Sequence, residues 1–163
     1  MPMNTNICCF SGHRRIPWGE EGALKALLRQ TVRQLAGEGY RCFLCGGALG
    51  FDTLAAEAVL EVRRSMPEIS LSLALPCPEQ SQHWSERDRQ RYERIRSLAD
   101  EETLVSPVYS SFCMQKRNRF MVDNSSLLVC YQTQLRGGTA STVAYALQKG
   151  LRIINLAEQL QSI

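Results

Sequence analysis

Two kinds of apolar pattern alternate along the chain. Short, largely unbroken runs at 7–10, 41–45, 69–75 and 127–131 lack a polar face, as expected of strands buried on both sides of a sheet. Between them, apolar residues recur every third or fourth position. Over 19–36, Leu24, Leu27, Leu28, Thr31 and Leu35 form a stripe that predicts an amphipathic helix ending near Gly37 and Gly39. Over 53–64, Leu54, Ala55, Ala58, Val59 and Val62 predict a second helix, with Asp52 as its N-cap. Pro76 and Pro78 stop the third strand, because proline lacks the N–H that a ladder requires. A polar helix over 82–99, a short strand at 103–105, helices over 112–123 and 139–149 and a strand at 152–156 complete the pattern.

Strand and helix therefore alternate throughout, which calls for right-handed crossovers and a mostly parallel, doubly wound α/β sheet with helices on both faces. The expected strand order is 3-2-1-4-5-6. A length of 163 residues suits one domain spanning the chain. In such a sheet, ligands bind beyond the C-terminal strand ends.

Three glycine-bearing loops fall at those ends. The first contains Gly12, His13 and Arg14, the second Gly46, Gly47 and Asp52, and the third Gly137 and Gly138 followed by Thr139, Ser141 and Thr142 at the opening of a helix. Backbone amides approach a phosphate closely where side chains are absent, and a helix N-terminus adds partial positive charge. Each loop also has a plainer explanation, as a solvated turn around Arg14, as turn chemistry beside Asp52, or as a turn capped by Thr139. Neither G-x-G-x-x-G nor G-x-x-x-x-G-K-[ST] occurs, which sets aside the standard dinucleotide fingerprint and the P-loop. In the 112–123 helix, Arg117 and Asn118 are further ligand candidates, while Met114, Met121 and Val122 read as inward-facing. Gln80, Trp84, Asp88 and Tyr92 are spaced by four, as on one helical face. Trp84 or Tyr92 could then stack on a base or simply pack.

Hydrophobic content of 44% and charged content of 21% are ordinary for a globular protein. A net charge of +3 is too small to suggest nucleic acid, and the five arginines of 86–96 are interleaved with three acids, so nucleic acid is not an expected partner. No apolar run reaches the ~20 residues that span a bilayer, and the first six residues are too few and too polar for a secretory signal; the expected location is the cytoplasm. Seven cysteines sit mostly within apolar runs, where reduced thiols pack as small hydrophobes. Cys42 and Cys45 have C-x-x-C spacing, but their odd separation in a strand points them to opposite faces, and no metal ligand set accompanies them.

The segments SGHR, GGALGFD, LALPCPEQSQHW, YERIRSLAD, RNRFMVDNS and RGGTASTVAYA, in this order over about 7–155, resemble the YpsA-like branch of the SLOG superfamily, which also includes DprA proteins and the LOG phosphoribohydrolases. The resemblance implies a bacterial, Rossmann-like domain that binds a nucleotide-derived ligand such as NAD, ADP-ribose or a nucleoside monophosphate, and that commonly self-associates. It assigns ligand contacts to Gly12, His13, Arg14, Gly46, Gly47, Asp52, Arg117, Asn118, Gly137, Gly138, Thr139 and Thr142. The LOG enzymes carry PGGxGT followed by a glutamate. Here Arg136 replaces the proline, Ala140 the third glycine, and Val143, Ala144 and Tyr145 stand where the acid would fall. N-glycosidic cleavage needs a carboxylate or its equivalent. The expectation is therefore a binding or sensor module. The alternatives are a hydrolase of a nucleoside-phosphate or ADP-ribosyl N-glycosidic bond, for which Asp52, Asp123 or Glu79 could supply the acid although each reads more plainly as a helix cap or a solvated acid, and a single-stranded DNA binder.

Overall fold

The computed structural model describes residues 6–161, so only Asn6 of the segment weighed above as a secretory signal falls within it. The order of elements is β1 (Ile7–Gly12), α1 (Glu21–Gly37), β2 (Cys42–Cys45), α2 (Phe51–Arg63), β3 (Ser70–Leu75), α3 (Glu86–Leu98), β4 (Glu101–Leu104), α4 (Cys113–Asp123), β5 (Leu127–Tyr131), α5 (Gly138–Gln148), β6 (Arg152–Asn155) and α6 (Leu156–Gln161). All strand pairings are parallel. Among the described residues no helix is long and apolar enough to cross a membrane.

The sheet order is β4-β3-β2-β1-β5-β6, which corrects the expected position of β4. The expectation put it beside β1, but it lies at the edge, pairing with β3 through Ser72↔Glu101 to Leu75↔Leu104. Its four residues, Glu101, Glu102, Thr103 and Leu104, are all exposed, a composition that only an edge strand tolerates. Beside β1 it would have met Cys8, Cys9 and Phe10, none of which is exposed at all. That place goes to the apolar β5, with Cys8↔Leu127 through Gly12↔Tyr131 in register.

Period-two alternation divides the strands between two cores. Cys8, Phe10, Phe43, Cys45, Leu127 and Val129 face α1, α2 and α3. Cys9, Leu44, Leu128 and Cys130 face α4 and α5, meeting Met121, Val122 and Ala146. All seven cysteines are free thiols. Burial pushes the Cys9 and Cys130 thiols up to about 12, so both remain protonated and pack as apolar groups.

Several boundaries shift. Helix α3 begins at Glu86, after Ser85, whose Oγ accepts the Asp88 N–H at 3.1 Å. Gln80 and Trp84 therefore precede the helix, and the four-residue spacing does not describe one helical face. Gln80 still donates to the Tyr92 hydroxyl at 3.2 Å, and Trp84 meets the Tyr92 ring edge to face at 5.1 Å. Tyr92 is thus spent on packing and is closed to base stacking. After β6, Asn155 Oδ1 accepts the N–H groups of Gln132 and Ala157, both at 3.1 Å, and starts the short α6.

The loops at the C-terminal ends of β1 and β2 lock together through missing side chains. A Cβ at Gly12 would stand 2.4 Å from the Phe51 ring. One at Gly50 would stand 2.2 Å from the Arg14 carbonyl oxygen, and Gly50 has φ +77°, a region that side chains rarely adopt. Between these contacts the Phe51 N–H donates to the His13 carbonyl at 3.1 Å, and the Phe51 ring stacks on Tyr131 and meets Phe10 at a tilt. Gly50→Ala is expected to cost about 2 to 6 kcal/mol, combining strain with a backbone clash. Gly22→Ala, at an open position early in α1, is expected to stabilise by about 0.4 to 1 kcal/mol. Urea unfolding of both variants measures the contrast.

Candidate functional site

Chain direction across the sheet reverses at β1. Strands β2, β3 and β4 extend to one side and β5 and β6 to the other. The β1 and β5 loops must diverge at this switch point, and divergence opens a crevice at the strand ends. A cleft of about 320 Å³ lies there. The β1 loop supplies Ser11, Gly12, His13 and Arg14, the β2 loop and α2 supply Ala48 and Asp52, α4 supplies Met114, Arg117 and Asn118, and the β5 loop and α5 supply Gln134, Arg136, Gly137, Gly138 and Thr139. A second cleft, of about 400 Å³, adjoins it across Met114, Asn118, Gly137 and Gly138 and includes Ser141, Thr142 and Tyr145.

Nine of the twelve residues expected from sequence thus meet in one cleft, and Thr142 lines its neighbour. Gly46 and Gly47 do not line either one. Their absent side chains make room for protein instead: a Cβ at Gly46 would lie 2.6 Å from Arg117 Nη1, and one at Gly47 would lie 3.0 Å from Tyr92 Cε1.

The same contacts recast Arg117. Its side chain is 3% exposed, and its guanidinium donates to the Gly46 carbonyl, to Gln80 Oε1 at 3.3 Å and to Asn118 Oδ1 at 2.9 Å. Burial lowers its pKa from the usual arginine value, while the Asp52 charge opposes the shift. Arg117 is therefore a strut between the β2 loop and α4, with most of its donors already engaged. Arg14 and Arg136 are different. Both are exposed at the cleft, with no carboxylate within 4 Å among the described residues.

His13 is corrected as well, since sequence grouped it with potential cations. Its Nε2 accepts the Thr133 N–H at 3.0 Å, which requires the neutral ring protonated on Nδ1, and partial burial lowers its pKa. Asp52 does not cap α2. The helix opens at Phe51 behind Gly50, and the Asp52 carboxylate turns back to accept the Ala48 N–H at 3.3 Å. Only 5% of Asp52 is exposed; burial pushes its carboxyl up to about 6, against the opposing pull of Arg117, the Ala48 N–H and Arg14.

The third loop differs from the other two. Gly137 caps α5 with φ +110°, so Thr139 is the second helical residue and not the cap. The first helical bond joins the Ser141 N–H to the Gly137 carbonyl at 3.0 Å, leaving the Gly138, Thr139 and Ala140 amides ahead of it. A Cβ at Gly137 or Gly138 would meet nothing within 4 Å. Protein packing explains Gly12, Gly46, Gly47 and Gly50, but it does not explain this pair. Thr142 Oγ1 is turned inward to the Gly138 carbonyl at 2.9 Å.

Of the acids considered for catalysis, only Asp52 lines the cleft. Asp123 accepts the Tyr145 hydroxyl at 2.7 Å, and Glu79 lines a separate cavity with Cys77, His83 and Tyr109. Sequence reasoning overlooked Gln134 and read Met114 as core, although Met114 lines both clefts. Its place one turn before Arg117 on the same helix was the available signal.

The YpsA family model, described as the YspA SLOG family, matches residues 19–156. Among curated relatives, a UPF0398 protein of Bacillus cereus (strain G9842) is 30% identical over 132 residues, covering 79% of this chain and 72% of that protein. UPF0398 protein YpsA of Bacillus subtilis (strain 168) is 27% identical over 117 residues, covering 70% of this chain; the chain spans 65% of YpsA. The fold is shared with DNA processing protein A from Streptococcus pneumoniae, with a TM-score of 0.65 and 14% identity, covering 91% of this chain and 49% of that one. It is also shared with the Helicobacter pylori protein, with a TM-score of 0.61 and 18% identity, covering 90% of this chain and 63% of that one. The Helicobacter protein is described by its single-stranded DNA binding mode. With a family match over most of its length, the chain belongs to the YpsA SLOG family.

Proposed function

We propose that the chain is a binding module for a phosphate-bearing, nucleotide-type metabolite, with the phosphate on the Gly137–Thr139 turn. The observation that carries this reading is the pair of glycines whose side-chain space is filled by no protein atom, at the start of an 11-residue helix and facing a cleft. Amides ahead of the first helical bond and the helix dipole favour an anion there. Arg14 and Arg136 flank the turn, and an arginine fork suits phosphate oxygens. Clefts on both sides of Gly137 and Gly138 leave room for groups on either side of a phosphate, as in NAD or ADP-ribose, or for a nucleoside monophosphate in one of them. Such ligands suit a cytoplasmic protein.

A second reading, single-stranded DNA, draws on the description of the Helicobacter protein and on two exposed aromatics. Tyr109 and Phe112 are 63% and 64% exposed beside Ser111 and Met114 of the clefts, where bases could stack.

Calorimetry with AMP, NAD and ADP-ribose tests the first reading. Gly138→Val is expected to weaken binding at least about tenfold, roughly 1.4 kcal/mol, without lowering the melting temperature. Arg14→Ala is expected to cost about 1.5 to 3 kcal/mol of affinity as a charged hydrogen bond is lost. Unchanged affinity in both variants overturns the phosphate assignment. Salt-sensitive binding of an oligonucleotide, with none of the mononucleotides, would favour DNA instead. Sustained release of free base would identify a hydrolase.

A further inference from the structure

The cleft contains a buried carboxylate that the phosphate assignment leaves unused. Among the described residues Asp52 is the only acid lining it, and it is 5% exposed. One carboxylate oxygen, Oδ2, accepts the Ala48 N–H. The other, Oδ1, has no partner among the described residues. Since no fully enclosed side-chain nitrogen or oxygen among them goes without a partner, Oδ1 must open onto the cleft.

A buried carboxylate oxygen facing a ligand site calls for a donor. Phosphate offers none in its ionised form and is repelled. A metal ion is poorly served, since Arg14 and Arg117 both lie close enough to act on the Asp52 charge and the described residues contain no cluster of three or more His, Cys, Asp or Glu that could hold one. The same two guanidiniums disfavour an ammonium group. A neutral donor remains, and in a nucleotide the groups that lie next to the phosphate are the sugar hydroxyls. A cleft of about 320 Å³ is large enough to take the phosphate and the sugar together.

Resting on the phosphate reading above, we infer that Asp52 is a specificity residue whose Oδ1 accepts a hydrogen bond from a ribose hydroxyl, so that the site selects ribonucleotides over their deoxy counterparts. A deoxy ligand leaves this buried acceptor without a partner, which is the costly case for a hydrogen-bonding site. The preference carries a pH signature, because a carboxylate accepts more strongly than a carboxyl and Asp52 changes between them near pH 6. The charged groups acting on it are Arg14 from the β1 loop and Arg117 from α4, while the Asp52 charge in turn helps to keep the Cys9 thiol on β1 and the Cys45 thiol on β2 protonated. His13 also lines the cleft, and partial burial lowers its pKa.

The test is a calorimetric comparison of AMP with 2′-deoxy-AMP and 3′-deoxy-AMP from pH 5 to pH 7.5, with inorganic phosphate as the fourth probe. Because the three nucleotides share one phosphate, its titration and that of His13 cancel in the affinity ratio. Wild-type protein is expected to prefer AMP over at least one deoxy analogue by about ten- to a hundredfold at pH 7.5, with the ratio shrinking as pH falls below about 6. In Asp52→Asn the ratio is expected to fall within about twofold and lose its pH dependence. Measurable nucleotide binding with no ribose preference in the wild type overturns the inference and leaves the phosphate reading standing. A preference that persists in Asp52→Asn does the same. Failure of inorganic phosphate and of all three nucleotides to bind overturns both.

Discussion

A guanidinium sealed inside the protein holds the C-terminal rim of the sheet together, where the candidate site lies. Arg117 reaches from α4 to the Gly46 carbonyl at the end of β2, to Gln80 in the segment after β3, and to its neighbour Asn118. A charge removed from water needs compensating dipoles, and these three oxygens provide them. The geometry works only because Gly46 has no side chain. Two loops distant in sequence are thereby fixed to each other and to helix α4. The Asp52 charge acts on the same guanidinium through the protein interior without a direct ion pair, which couples the floor of the cleft to this strut.

The glycines of the three rim loops divide into two kinds by what occupies the space beside them. Gly12, Gly46, Gly47 and Gly50 allow other parts of the protein to come close, namely the Phe51 ring, the Arg117 guanidinium, the Tyr92 ring and the Arg14 carbonyl. They place the loops. Gly137 and Gly138 face open space at the start of α5. Glycine content alone could not separate these roles, because the feature that distinguishes them is what occupies the space beside each residue. A glycine-rich loop is therefore weak grounds for a ligand contact until its neighbours are known.

Electrostatic roles followed the same course. Residue type suggested three cations in the first loop, but His13 is held neutral by the Thr133 N–H that it accepts, while Arg14 stays exposed and has no carboxylate partner among the described residues. Arg14 and Arg117 have the same side chain and line the same cleft, yet one is solvated and the other enclosed. Burial also turns Asp52 from an ordinary helix-start acid into a carboxyl that titrates near pH 6.

Apolar periodicity along the chain determined the alternating elements, the parallel sheet covered on both faces and the placing of three loops at its C-terminal rim, because these follow from local pattern and from the need to bury continuous apolar strands. The motif order also pointed to the family. The edge position of β4 was written in its four polar or exposed residues, though sequence reading placed it centrally. Tertiary structure alone decided that Tyr92 packs, that Gly46 and Gly47 serve Arg117 and Tyr92, and that Asp52 turns from cap to cleft wall. Each of these depends on atoms brought together from distant parts of the chain, and neither spacing nor propensity along a sequence encodes what a side chain meets across space.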